Sequence, residues 1–190
     1  MKYRDSGMPD DTVWGDFFNP KLTLELLGLS KNIENFIDIG TGYGTFLIPA
    51  SKIISGTAVG IDIDKNYLEI CKKQVDKNLI NNINLIEGDI SKEETLLKVY
   101  NIIPNVDYIS LFNILHCEEP IELLRNASKN LTCGGKISVI HWIQKETPKG
   151  PPLNIRPNPE TIIEWAKEVG LKFKKQVDLP PYHFGLLFEK

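Results

Sequence analysis

The sequence is poor in the residues that mark several common functions. Cysteine and histidine occur only three times each in 190 residues. Cys71, Cys117 and Cys133 are odd in number and lack metal-type spacing, so neither a disulfide scaffold nor a cysteine metal site organises the chain. Reduced, mostly buried thiols in a cytoplasmic protein are the expectation. No apolar run approaches the roughly 18 residues of a membrane span. The opening Met1–Gly7 has no apolar signal core. Neither sign of charge dominates: 22 basic against 25 acidic residues leave a net charge of −3. That balance excludes a general nucleic-acid surface but leaves room for a local basic patch. Repeats, low-complexity tracts and a clear interdomain linker are also missing. The remainder, 42% hydrophobic and 25% charged, is ordinary for a globular chain, and its length suits one domain with its own core.

The most informative segment is Phe36–Thr45, which reads Phe-Ile-Asp-Ile-Gly-Thr-Gly-Tyr-Gly-Thr. An apolar strand runs into Asp38, three alternate glycines follow (Gly40, Gly42, Gly44), and a helical pattern opens at Phe46. Such a strand–loop–helix brings backbone close to a nucleotide-like ligand, because glycine has no Cβ in the way. The dinucleotide fingerprint needs a third glycine where Thr45 stands, and the Lys-Ser/Thr pair of a phosphate loop is absent. The ligand predicted is nucleoside-like and not held through phosphates.

Strands and helices alternate along the rest of the chain. Helices are predicted over about 20–29, 44–54, 64–79, 92–102, 120–131 and 158–169. Strands are predicted over 35–39, 57–61, 83–87, 106–112, 136–141, 171–177 and 183–188. Cys133-Gly134-Gly135 reads as a turn, and 142–158 as a proline-rich loop. Five β–α alternations predict a three-layer α/β/α sandwich, Rossmann-like, around a mostly parallel sheet of seven strands. The last two strands are too close for a helical crossover, so they form an antiparallel edge hairpin. One domain over 1–190 is expected: a core from residue 20 and an aromatic lead segment, 1–19, acting as lid or staple. In such sheets the ligand lies over the carboxyl ends of the strands.

This arrangement resembles the class I S-adenosylmethionine-dependent methyltransferases over about residues 20–190. Asp38-Ile-Gly40-Thr41-Gly42-Tyr-Gly44 is similar to that family's acidic-x-Gly-x-Gly-x-Gly loop. Asp62, at the end of strand two and 22 residues beyond Gly40, stands where the family places an acid on the ribose diol. Gly88-Asp89 stands where a carboxylate receives the adenine amino group. Asn113 follows strand four, a frequent cofactor contact. The resemblance therefore implies S-adenosylmethionine as cofactor, S-adenosylhomocysteine as product, and contacts from Asp38, Gly40, Thr41, Gly42, Asp62 with Ile63, Asp89 with Ile90, and Asn113. Local roles compete. Asp38 also orders the loop, Asp62 or Asp64 caps the next helix, and Asp89 and Asn113 suit turns.

The sulfonium already activates the methyl group, so the enzyme implied aligns a nucleophile and excludes water. A base is needed only for an acceptor that carries a proton at neutral pH. All three histidines fall on the predicted active face: His116 after strand four, His141 ending strand five, and His183 beside the last turn. Each either satisfies local backbone or serves as base or acceptor ligand, with His141 the first choice for base. A three-histidine metal site is a minor alternative, and no metal is expected. Trp142, Tyr182, Arg156 and the histidines are expected to line one acceptor cavity. Arg156 either binds an acidic group or pairs with a surface acid. Two segments are lid candidates: the lead segment with Tyr3, Arg4, Trp14, Phe17 and Phe18, and the stiff loop 142–159. Leu179-Pro-Pro-Tyr182 is similar to the Asn/Asp-Pro-Pro-Tyr motif of nitrogen methylation but stands in the wrong place and lacks its first residue. A small-molecule acceptor is expected, with no membrane partner. The rivals are an RNA- or protein-modifying methyltransferase and a non-catalytic cofactor-binding subunit.

Overall fold

The computed structural model describes residues 19–190, so the lead-segment lid falls outside the described residues. The elements are α1 (Pro20–Leu26), β1 (Phe36–Ile39), α2 (Leu47–Ser51), β2 (Ala58–Asp62), α3 (Lys65–Lys77), β3 (Ile83–Glu87) and α4 (Glu93–Ile102). They continue with β4 (Val106–Phe112), α5 (Pro120–Lys129), β5 (Leu131–Trp142), a 3-10 turn (Leu153–Ile155), α6 (Pro159–Glu168), β6 (Lys172–Leu179) and β7 (His183–Glu189). The strands form one sheet in the order β3-β2-β1-β4-β5-β7-β6, in which β7 runs antiparallel to both neighbours.

Alternation along the buried strands sorts the side chains into two cores. On one face Phe36, Ala58, Tyr108 and Ile140 pack with Leu24 and Leu27 around α1, Leu47 of α2 and Val75 of α3. On the other Ile37, Val59, Ile109 and Val139 pack with Val99 of α4, Leu124 of α5 and Ile162 of α6. Each such aliphatic side chain contributes about 1.5–3 kcal/mol when removed from water. Helix starts follow local capping: the Asn19, Asp64 and Asn158 side chains accept from the backbone N–H groups of Leu22, Asn66 and Thr161.

The largest boundary differences from the sequence expectation fall in β5 and α2. β5 begins at Leu131, not Lys136. Leu131 pairs with Val106, and the apparent turn stays in the sheet because Gly134 N–H donates to Lys190 O and Lys190 N–H to Gly135 O. α2 is shorter than predicted. Gly44, at φ +84°, holds the chain outside helical geometry, and past Pro49 three-residue turns set in, with Lys52 N–H donating to Pro49 O and Ile53 N–H to Ala50 O.

The strand order reverses between β1 and β4, the place where open α/β sheets bind ligands beyond the carboxyl ends of their strands. The glycine loop leaves β1 and Asn113 leaves β4, so both flank this point. β6 runs parallel to β1–β5, which puts the 180–182 turn on the same edge.

Candidate functional site

The glycine loop is held from beneath by a buried acid. Asp38 is 3% exposed, and its carboxylate accepts from Thr41 Oγ1 at 2.9 Å and from Ser110 Oγ at 2.6 Å. Burial pushes its pKa up to about 6, against the lowering effect of the two hydroxyls. Cys71 of α3 lies under the same loop. A Cβ at Gly44 would stand 2.6 Å from its Sγ, so this position rejects a side chain both sterically and by its φ. Burial, then the Asp38 and Asp62 charges, push the Cys71 thiol up to about 12, so it is a protonated packing group.

Asp62 ends β2 and faces the loop. Its Oδ2 accepts Gly42 N–H at 2.8 Å and its Oδ1 accepts Asp64 N–H at 2.9 Å. Helix capping falls to Asp64, so Asp62 is not the cap. It is only partly buried, and each carboxylate oxygen keeps a second lone pair. Its pKa is raised, mainly by desolvation. The next residue, Ile63, is 49% exposed despite being aliphatic. Beside it an open cleft of about 430 Å³ is lined by Ile63, Glu87, Gly88, Asp89, Glu94 and Lys98. Asp89 also has a local turn role, accepting Ser91 N–H at 2.8 Å. The Ile90 side chain does not face this cleft: at 1% exposed it packs among Ile86 and Val99, because alternation past β3 turns it inward. Thr41 likewise directs its hydroxyl to Asp38.

Asn113 has φ +56°, a conformation rare outside glycine, and its buried Oδ1 has no hydrogen-bond partner. A positive φ and an unsatisfied oxygen together at a switch point make Asn113 a candidate binding position. Its N–H donates to Ile140 O, joining the β4 exit to β5.

The histidines divide between the two faces. β5–β7 register places Trp142 opposite His183 and His141 opposite Phe184. Paired residues share a face and consecutive ones oppose, so His141 and His183 point to opposite sides of the sheet. The single cavity lined by all three is therefore corrected to two clusters. His116 and His141 meet edge to face at 5.6 Å. His183 and Tyr182 lie against Trp142, with ring centroids at 4.1 and 6.3 Å. Among the described residues no group of three or more His, Cys, Asp or Glu is arranged to hold a metal ion.

His141 is fully buried, and burial, then the neighbouring His116, push its pKa down to about 3. Its Nδ1 lies 3.5 Å from Trp142 O and its Nε2 has no partner. In this state it is a neutral hydrogen-bonding ring rather than a base poised near neutrality. His183 is also pushed down to about 3, by burial and then Arg156. Both folded values lie below the unfolded one of about 6.5. Their stabilising contribution is complete above that value and is lost as pH falls toward 3. NMR imidazole resonances of His141 and His183 are expected to stay flat between about pH 8 and 5; a midpoint near 6.5 would mean solvated rings.

Arg156 takes neither predicted role. It is 6% exposed, and the five hydrogen bonds of its guanidinium all go to its own loop. Nε donates to Pro151 O, Nη1 to Ile143 O and Lys145 O, and Nη2 to Thr147 Oγ1 and Lys149 O. The guanidinium also sits 5.4 Å from the centre of the Trp142 ring. No donor is left for an acidic substrate group. The loop after β5 is a clamped wall, and Trp142, 1% exposed, is its foundation rather than a pocket surface.

Sequence reasoning missed Ser110 and Cys71. Ser110 was visible as the single small polar residue in the otherwise apolar and aromatic run Tyr108–Phe112, and register places it directly opposite Asp38.

The family described as a methyltransferase domain fits residues 30–176. A probable cobalt-precorrin-6B C(15)-methyltransferase (decarboxylating) of Sulfurisphaera tokodaii is 32% identical over 133 residues, covering 67% of this chain and 65% of that protein. A ribosomal protein L11 methyltransferase of Acetivibrio thermocellus is 36% identical over 73 residues, 37% of this chain and 23% of that one. The chain thus spans less than two thirds of the length of these curated relatives. A solved S-adenosylmethionine-dependent methyltransferase from Aquifex aeolicus superposes with a TM-score of 0.81 at 23% identity, covering 95% of this chain and 94% of that one. That likeness is one of fold.

Proposed function

The chain belongs to the class I S-adenosylmethionine-dependent methyltransferases, and from that premise we propose that it binds S-adenosylmethionine at the β1–β4 switch point and transfers its methyl group to a small-molecule acceptor. The observation that carries the cofactor site is Asp62, a partly buried carboxylate tied to the glycine loop through Gly42 N–H, with the bare aliphatic face of Ile63 beside it. Asp62 takes the ribose hydroxyls and Ile63 the adenine face. The carboxylate of Asp38 balances the charge of the amino end. S-adenosylmethionine supplies a methyl group already activated by its sulfonium. The protein's part is to orient an acceptor atom in line, with Asn113 Oδ1 and His141 Nε2 as hydrogen-bonding groups at the β4 and β5 exits, and to exclude water with the wall clamped by Arg156.

A small acceptor is supported by the wider match to the cobalt-precorrin relative, which covers more of this chain than the L11 relative does. Charge supports it too. The lysines of β6 (Lys172, Lys174, Lys175) lie on the outermost strand, with Lys174 paired to Glu189, and not beside the glycine loop. A cytoplasmic setting is part of the proposal; the free cysteines support it, and among the described residues no helix is long and apolar enough to cross a membrane.

The test uses methyl-labelled S-adenosylmethionine and a cell extract separated by size. Label is expected in a low-mass product that is chromatographically distinct from the cofactor and forms only when the protein is added, and protein-dependent label in RNA or protein would overturn the acceptor class. Asp62→Ala is the control. It is expected to weaken cofactor binding by about 1–3 kcal/mol through loss of charge-assisted bonds to the diol. Some stability is lost with the Gly42 contact, so affinity is read on the folded fraction. Unchanged affinity would move the ribose elsewhere.

A further inference from the structure

We propose that the cofactor site continues past the adenine edge into an outer subsite that accepts a substituent on the base's exocyclic nitrogen, with an amine-bearing chain the favoured class. The inference rests on the cofactor reading above. Asp62 and Gly88 are joined by the Gly88 N–H to Asp62 O bond at 2.9 Å, so a ribose on Asp62 leads directly into the cleft between Ile63 and Asp89. That cleft has about 430 Å³. Cavities of roughly 300–1,000 Å³ hold whole drug-sized ligands, more than one purine ring fills. The lining of the cleft includes Glu87, Glu94 and Lys98, the last of which donates to Glu87 O at 3.5 Å. α4 supplies the outer wall.

Gly88 keeps α4 close behind the cleft: a Cβ at this position would collide with the buried Thr95 hydroxyl of that helix. The rim chemistry sets the substituent class. The lining carries the carboxylates of Glu87, Asp89 and Glu94 against the single ammonium of Lys98, so its net charge favours an ammonium over an anionic chain.

The experiment compares S-adenosylhomocysteine with its N6-(4-aminobutyl) derivative by calorimetry, on the natural protein and on Glu94→Gln. The derivative is expected to bind as tightly as the parent, within about threefold, or more tightly; Glu94→Gln is expected to weaken the derivative selectively by about three- to tenfold while leaving the parent unchanged. A derivative weakened by more than about thirtyfold while the parent binds would close the base edge and overturn the subsite alone. An equal loss for both ligands in Glu94→Gln would also overturn it. If the parent itself does not bind, the cofactor reading and the subsite built on it both fall.

Discussion

Asp38→Asn is expected to leave the protein at least as stable as the natural one near neutral pH while weakening S-adenosylmethionine binding by about 10- to 100-fold, the worth of one charge-assisted contact in a dry site. The natural carboxylate is buried and stabilised by two hydroxyls, and the charges that bear on it include Asp62, of the same sign. Its folded pKa, about 6, lies above the unfolded value near 3.8. A raised acid stabilises the fold most when protonated; that contribution is complete below the unfolded value and is lost as pH rises through about 6. The apo protein thus loses stability on this account between pH 4 and 6, and a cofactor cation restores it. Urea denaturation across that window, with and without S-adenosylmethionine, measures both effects. The natural protein's decline should be absent in Asp38→Asn. Loss of more than about 2 kcal/mol at neutral pH in the variant would show instead that the charge itself holds the loop.

Arg156→Met should separate wall from site. The substitution keeps a long apolar stem over Trp142 and removes five donors from four carbonyls and one hydroxyl. Hydrogen bonds to a charged group contribute strongly, but the loop carbonyls lie near water and recover part of the loss, so about 2–4 kcal/mol is expected. For a chain of this size that corresponds to a melting point lowered by about 4–16 °C. Lys145 and Lys149 lose the bonds to their carbonyls, so trypsin should cut after them much faster. Cofactor affinity should hold, because the glycine loop and Asp62 make none of these contacts. An unchanged cleavage rate would mean the prolines alone keep the loop rigid.

The sequence carried the fold because its signals are local. Apolar strand runs, Asn and Asp caps, and glycines that end helices are each read within a few residues. The candidate site was legible where it is made by strand ends in a parallel sheet, since every β–α loop then falls on one edge. This is how Asp38, Asp62 and Asn113 became visible. What the sequence did not carry was the side of the sheet on which a residue sits. His141 and Trp142 are neighbours, and a shift of one residue in the β5–β7 register would exchange their faces. Arg156 was opaque for a different reason. A loop rich in proline has fewer backbone donors to satisfy its own carbonyls, so a buried guanidinium takes that work, yet an arginine in a loop reads equally as a ligand for an acid. Ser110 needed the β1–β4 register to be seen opposite Asp38.

The central claim is that the β1–β4 switch point is a built S-adenosylmethionine site. Calorimetric titration of the natural protein with S-adenosylhomocysteine, checked by thermal denaturation, tests it most directly, because it needs no knowledge of the acceptor. The account predicts saturable 1:1 binding in the micromolar range and, at about a hundred times the dissociation constant, roughly 2.7 kcal/mol of added stability. The absence of both heat and thermal stabilisation at millimolar ligand would contradict it.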